Sequence, residues 1–170
     1  MEPAIFPHSP QTVDSEFQRL TLQEPLDSYD PSRATPRQLE HAWDSNSCSD
    51  NMKVLRDGIT VINRRRDKSS DLVRGKKGYY RGIHVFEVNW PTDERGSHPM
   101  IGVALGDTQL TTTEFTYLLG RTADSWGWNL TTKELFHDGK MRGLYPERNP
   151  NFEVPETFYI ILNAEEGTLR

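Results

Sequence analysis

Apolar and polar residues alternate in short runs from about Met52 to the end of the chain. Gly, Pro, Asn or Asp residues separate these runs, and such residues favour turns. A period of two predicts β-strands. We place them at residues 53–56, 59–62, 82–90, 100–104, 125–130, 133–137 and 157–162. Many short strands at this spacing are typical of an antiparallel β-sandwich or barrel.

Three of these segments give more specific expectations. Asp57 and Gly58 form a strong hairpin signal between the first two predicted strands. Residues 82–90 are partly apolar on both faces, so we expect an interior strand there. Residues 163–167 have the composition of a turn, and residues 168–170 that of a returning strand. We therefore expect the chain to stop within a hairpin.

The segment before residue 35 differs in composition from the rest. It has five prolines and no sustained apolar period, so we expect residues 1–34 to be a mostly disordered tail. At residues 35–43 a helix of about two turns is expected, because Thr35 can cap it and Pro36 suits its first position. Residues 113–119 are the other helix candidate. The predicted fold is all-β, an antiparallel sandwich at residues 35–170 behind this tail.

The charge balance argues against a nucleic-acid-binding protein. The chain has 25 acidic and 20 basic residues, a net charge of -5, whereas general binding to nucleic acid relies on positive charge. Residues 53–81 hold ten basic and three acidic residues, so a local basic surface remains. Its densest part is the arginine run at residues 64–66. That run fits either a solvent-exposed loop or a contact to an acidic peptide.

The sequence lacks the patterns that carry catalysis or metal binding. Its five histidines and single Cys48 have no metal-ligand spacing, and it contains no phosphate-binding or nucleophile motif. We therefore expect no catalytic residue, metal or cofactor. Cys48 has no second cysteine to pair with, and no apolar run reaches the length of a membrane span. We expect a cytoplasmic or nuclear protein that binds neither membrane nor nucleic acid.

The tryptophans mark a candidate core. Trp126 and Trp128 alternate around Gly127, so both indoles should lie on one face of a strand. Such a pair is usually buried, because each ring removes a large apolar area from water. We expect Trp90 and Trp126 to be buried.

Short motifs follow one another in order along the chain. They are VRGK at 73–76, RGIH at 81–84, EVNWP at 87–91, RGSH at 95–98, GVA at 102–104, LLG at 118–120, SWGW at 125–128, HDGK at 137–140, YP at 145–146 and EGTL at 166–169. This series resembles the SPRY domain-containing SOCS box protein family. The similarity extends from about Trp43 to the last residue, and its specificity lies in the order of the whole series.

The resemblance implies a function in protein recognition. Family members have a bent antiparallel β-sandwich without catalytic activity, and loops at one end hold a short, Asn-rich acidic peptide of a target protein. A C-terminal SOCS box then recruits elongin B and C and a cullin, so that the target is ubiquitinated. The chain is therefore interpreted as a substrate-recognition adaptor of such a ubiquitin ligase. The alternative is a SPRY interaction module or scaffold with no ligase link.

Counting from the motifs gives the implied peptide-binding residues, Asn63, Arg64, Arg65 and Phe115. The first three stand where the family has Arg-His-Pro, so the proline that would stiffen the loop is absent. Arg64 is placed to supply the missing charge from the neighbouring position. Phe115 stands where the family has a tyrosine, and keeps the ring without its hydroxyl.

Family members continue past the position that matches Arg170, first with more strands and then with the SOCS box. We therefore expect a SPRY domain that is truncated before its last strands and has no SOCS box. Elongin B and C and a cullin are expected as partners only if such a box follows in a longer protein. Target proteins with an acidic peptide are the other expected partners.

Overall fold

The computed structural model describes residues 35–63, 69–147, 149 and 151–170. The expected tail at residues 1–34 lies outside these ranges. Within them the chain forms one short α-helix, α1 (Pro36–Glu40), a 3-10 helix (Thr92–Glu94) and thirteen strands. The strands are β1 (Trp43–Cys48), β2 (Met52–Val54), β3 (Val61–Asn63), β4 (Ser70–Asp71), β5 (Val73–Gly75), β6 (Ile83–Asn89), β7 (Met100–Ala104), β8 (Thr111–Thr112), β9 (Ser125–Asn129), β10 (Glu134–His137), β11 (Lys140–Leu144), β12 (Thr157–Asn163) and β13 (Thr168–Leu169).

All strand pairings are antiparallel among the described residues. One sheet has four strands in the order β11-β10-β9-β7, and another has three in the order β13-β12-β6. The remaining strands form the pairs β1-β5, β2-β3 and β4-β8. The all-β prediction is confirmed.

The core lies between the two larger sheets. Its buried centre consists of Leu130, Val154 and Phe158. The four-stranded sheet contributes Ile101 and Trp128 to the surrounding apolar layer, and the three-stranded sheet contributes Val88 and Ile160. Because side chains of both sheets meet in one cluster, the arrangement is a sandwich.

A second packing layer covers the opposite face of β9. Ser125, Gly127 and Asn129 are buried there, while Trp126 and Trp128 share the other face and are half-buried. The backbone N–H of Gly120 donates to the Ser125 hydroxyl at 2.9 Å. A Cβ atom on Gly127 would lie 2.7 Å from the carbonyl oxygen of Leu119, so only glycine allows this approach. The segment at residues 118–120 therefore lies directly on the sheet.

A buried arginine joins the 3-10 helix to the chain before β12. The Arg95 side chain, 8% exposed, donates to three backbone carbonyl oxygens. Its Nε contacts Trp90 at 3.2 Å, its Nη1 contacts Val154 at 2.8 Å and its Nη2 contacts Pro155 at 2.5 Å. These charge-assisted bonds satisfy carbonyls that would otherwise lie unpaired near the core.

Helix α1 begins as predicted but ends earlier. The Thr35 hydroxyl accepts the N–H of Gln38 at 3.2 Å, and the Gln38 side chain accepts the N–H of Thr35 at 2.6 Å, which is a capping box. Pro36 occupies the first helical position. The helix stops at Glu40 because Trp43 already belongs to β1 and pairs with Gly75.

The hairpin turn predicted at Asp57 and Gly58 differs in form from the turn that joins β10 to β11. Residues 55–60 connect β2 to β3, with Gly58 at a φ of +74°. The Asp57 carboxylate accepts the N–H groups of Ile59 and Thr60, so this loop is longer than a two-residue turn. Between β10 and β11, Asp138 and Gly139 both have positive φ, as a tight hairpin turn requires.

Two predictions about single elements are wrong. Within the described residues β6 lies at an end of its sheet, not in its interior, and the side chain of Ile83 is 42% exposed. Residues 113–119 form no helix. A third expectation holds only in part, because Trp90 and Trp126 are half-buried rather than fully buried.

Candidate functional site

The structure describes two of the four predicted peptide-binding residues. Asn63 ends β3, opposite Met52 of β2. Phe115 follows β8 by three residues and its side chain is 57% exposed. Arg64 and Arg65 lie outside the described residues.

The segments that carry Asn63 and Phe115 are connected through β4. Ser70 and Asp71 pair with Thr112 and Thr111 of β8. Next to them the N–H of Leu72 donates to the carbonyl of Leu110 at 2.8 Å, which continues the pairing. Thus β4, which follows residues 64–68, lies against the strand that leads to Phe115.

The Asp71 carboxylate accepts four side-chain hydrogen bonds. One oxygen, Oδ1, accepts from the Ser49 hydroxyl at 2.5 Å, the Asn51 amide at 3.0 Å and the Thr111 hydroxyl at 2.9 Å. The other oxygen accepts from the Ser69 hydroxyl at 2.7 Å. We call these five residues the Asp71 cluster.

Two opposing effects act on the charge of Asp71. Burial alone would raise the pKa of its carboxyl, but the hydrogen bonds from the cluster lower it by more, so the pKa lies below its ordinary value. The carboxylate is therefore ionised at neutral pH.

Ser70 forms a second connection to the Phe115 segment. Its hydroxyl donates to the carbonyl oxygen of Thr116, and the N–H of Thr116 returns a hydrogen bond to the hydroxyl at 3.2 Å. The Ser70 hydroxyl also lies 3.4 Å from the carbonyl of Glu114. These bonds use backbone groups that a helix at residues 113–119 would need for itself, which accounts for its absence.

Phe115 stands beside a histidine. The rings of Phe115 and His98 meet edge to face, with centroids 4.8 Å apart. Next to Phe115, Glu114 forms an ion pair with Arg121 at 2.6 Å. The exposed ring is therefore supported from one side while its other surface faces solvent.

A cleft of about 390 Å³ lies beside the loop that connects β7 to β8. The loop at residues 105–109 lines it together with Thr122 and Asp124. The half-buried Arg74 guanidinium holds that loop by donating to the carbonyl oxygens of Gly106 and, at 3.2 Å, Thr108. Neither Asn63 nor Phe115 lines this cleft.

Among the described residues no group of three or more His, Cys, Asp or Glu side chains is placed to hold a metal ion. Among the same residues no helix has the length and apolar character needed to cross a membrane.

Sequence reasoning missed the Asp71 cluster. Its members come from two runs of short polar side chains, at residues 49–51 and 69–71, and from Thr111. Such runs favour side-chain hydrogen bonds to neighbouring chain segments. They were the feature of the sequence that could have indicated the cluster. Which of the runs meet depends on strand pairing, which the sequence pattern does not specify.

Comparison with known proteins agrees with the motif series. The human SPRY domain-containing SOCS box protein 2 is 38% identical over 152 residues, which cover 87% of this chain and 57% of that protein. The bovine SPRY domain-containing SOCS box protein 1 is 38% identical over 156 residues, or 88% of this chain and 55% of that protein. The chain is homologous to the SPRY domain-containing SOCS box proteins. It spans about half the length of the curated relatives that it matches.

A relative with a different name also matches most of the chain. The F-box/SPRY domain-containing protein 1 of Drosophila erecta is 36% identical over 146 residues, which cover 85% of this chain and 57% of that protein. No family model matches the chain. The matches to the SOCS box proteins and to this relative each cover more than four fifths of the chain.

Proposed function

We propose that the chain is the target-recognition part of a ubiquitin-ligase adaptor and that it binds a short acidic peptide of its target. The observation that carries this proposal is the exposed Phe115 ring, held beside β4 at the position that the family resemblance assigns to peptide binding. Asn63, Arg64 and Arg65 belong to the same proposed site. The chain acts by binding and carries out no catalysis itself.

The charges of the site suit an acidic ligand. Residues 64–66 are all arginine, and the described segment around Phe115 adds an exposed aromatic ring. Cations attract an acidic peptide, while an aromatic ring supplies apolar contact area at a low entropy cost. Because this attraction is electrostatic, its strength should fall as the salt concentration rises.

The test is a binding titration with fluorescein-labelled short peptides rich in Asp and Asn. We expect the double variant Arg64→Ala/Arg65→Ala and the variant Phe115→Ala each to weaken binding about tenfold. The matched control is Lys140→Ala/Arg142→Ala, which removes two exposed cations from β11. Unchanged affinity in the arginine double variant would remove both arginines from the site, and equal loss in the control would show a general charge effect.

The ligase link is tested separately. A pull-down from cell lysate should recover elongin B and C with a longer protein that carries a SOCS box, and not with residues 1–170 alone. Recovery with residues 1–170 would show that the recruiting surface lies within this chain.

A second candidate is a SPRY interaction module that serves other assemblies. It is favoured by the F-box/SPRY relative, whose name pairs a similar region with a different box. In that case the peptide titration would succeed while the longer protein recovers no elongin.

A further inference from the structure

Asp71 connects three parts of the chain that are far apart in sequence. Its four hydrogen-bond donors come from residues 49–51, residue 69 and residue 111. Three of the donors share Oδ1 and one binds Oδ2, so both carboxylate oxygens are engaged. No ion pair among the described residues includes Asp71, and neutral donors therefore stabilise its charge there.

The cluster is linked to both sides of the proposed site. Asn51 precedes Met52, which pairs with Asn63 at the end of β3. Thr111 lies four residues before Phe115 on the other side. Ser70, adjacent to Asp71, holds the backbone of Thr116 just beyond Phe115. A change at Asp71 would thus affect both sides at once.

We infer that Asp71 is a positioning residue of the proposed peptide site. Its carboxylate sets the position of the turn at residues 49–51 relative to the segment that carries Phe115. The inference deepens the function proposed above and depends on it. Asp71 itself acts through the cluster and does not contact the peptide.

The charge of Asp71 is what the arrangement requires. In Asp71→Asn an amide nitrogen replaces one carboxylate oxygen, so one acceptor becomes a donor that faces the Ser69 hydroxyl or the donors at Oδ1. The remaining oxygen is neutral, and hydrogen bonds to a neutral acceptor are weaker than those to a charged one. The cluster should loosen without loss of the core, which lies elsewhere.

The chain offers a matched control in Asp44. Its carboxylate also accepts a serine hydroxyl, from Ser47 at 2.8 Å, and a backbone N–H, from Asn46 at 2.9 Å. Both donors lie within three residues of Asp44, so this carboxylate connects no distant segments. Asp44→Asn therefore removes the same chemistry without affecting the Phe115 segment.

The first measurement is hydrogen exchange of residues 1–170 without ligand. In Asp71→Asn, exchange of residues 105–118 should rise at least about tenfold, which corresponds to a loss of about 1.4 kcal/mol in local opening free energy. Exchange in β9 and β12 should stay the same, and Asp44→Asn should change none of these regions. A uniform rise over the chain, or no rise in residues 105–118, would overturn the inference.

The second measurement is the affinity for the Asp- and Asn-rich peptides. We expect Kd to rise about tenfold in Asp71→Asn, to recover in part in Asp71→Glu, which restores the charge, and to stay within about twofold in Asp44→Asn. If wild type and Asp71→Asn bind equally well, the positioning role is wrong and the proposed function stands. If wild type binds none of these peptides, the proposed function is wrong and the positioning role is rejected with it.

Discussion

The imidazole of His137 lies flat against the indole of Trp126, with ring centroids 4.6 Å apart and planes only 6° from parallel. The two residues are directly opposite each other on β10 and β9. The Nδ1 of His137 also donates to the carbonyl of Ser125 at 3.0 Å, which holds the ring in this orientation. Cross-strand pairs of this kind are the units that stabilise a sheet.

Replacing His137 by Ala should therefore lower the free energy of unfolding by about 1 kcal/mol, measured by urea denaturation. His137→Phe keeps a stacked ring but loses the bond to the Ser125 carbonyl, so it should retain part of the stability. If Ala and Phe variants are equally unstable, the stacking contributes nothing and the hydrogen bond accounts for the effect.

A second prediction concerns the close approach at β9. Gly127→Ala should destabilise the protein by about 1–3 kcal/mol, because the new methyl group would clash with the backbone of Leu119. That backbone cannot move without disturbing the packing of residues 118–120 on the sheet. Gly106→Ala is the control, since no atom lies within 4 Å of its added Cβ. Thermal unfolding of both variants measures the difference, and equal melting temperatures would contradict the packing described here.

Arg95 gives a third prediction. Arg95→Lys keeps the positive charge but cannot reach three carbonyls with one ammonium group in the same geometry. We expect a loss of about 3 kcal/mol, because buried acceptors are left unpaired. Arg142→Lys, in which an exposed side chain donates to the His137 carbonyl at 3.3 Å, should change stability little. Similar denaturation midpoints for the two variants would mean that the charge of Arg95 suffices.

The fourth prediction is a dependence of stability on pH. Burial, Lys77 and His84 lower the pKa of His41 below its ordinary value of 6.5, and Arg37 acts in the same direction while Glu40 opposes it. The Nδ1 of His41 is hydrogen-bonded to the Tyr79 hydroxyl at 2.7 Å. The unfolded chain therefore takes up a proton at higher pH than the folded one. This contribution to stability is complete above about pH 6.5 and decreases as the pH falls below it.

Urea denaturation between about pH 5 and pH 8 checks this dependence. For each protein, the free energy of unfolding at about pH 8 is the reference value. From that value the free energy of unfolding should decrease less toward about pH 5 in His41→Gln than in wild type. An unchanged pH dependence in His41→Gln would assign the effect to other groups.

The sequence pattern predicted where strands lie better than it predicted which strands pair with each other. The pattern of apolar and polar residues located β6, β7, β9 and β12. The same pattern suggested that β6 is interior, yet sheet order depends on contacts between distant segments. The short strands β4 and β8 have two residues each and no period to detect.

The family resemblance assigned Phe115 to the candidate site, and its role there stays a prediction. Nothing near Phe115 in sequence indicates that Ser70 holds the backbone of the next residue, Thr116. The two indoles of β9 were the obvious core candidates. The small side chains between them are the more deeply buried, because the 118–120 segment covers their face. Burial of a small residue leaves no apolar signal in a sequence.

The packing of residues 118–120 on the sheet affects how the amino-acid sequence at residues 113–115 can vary. Phe115 is three residues from Leu118, which is buried on the sheet, and the backbone of Thr116 is held by Ser70. Side chains at residues 113–115 can thus be exchanged during evolution without altering the anchored part that follows them. Under the proposed function, changes at these residues alter the binding preference while the sandwich below keeps its shape, which makes residues 113–115 the natural positions to randomise when selecting a binder of altered specificity.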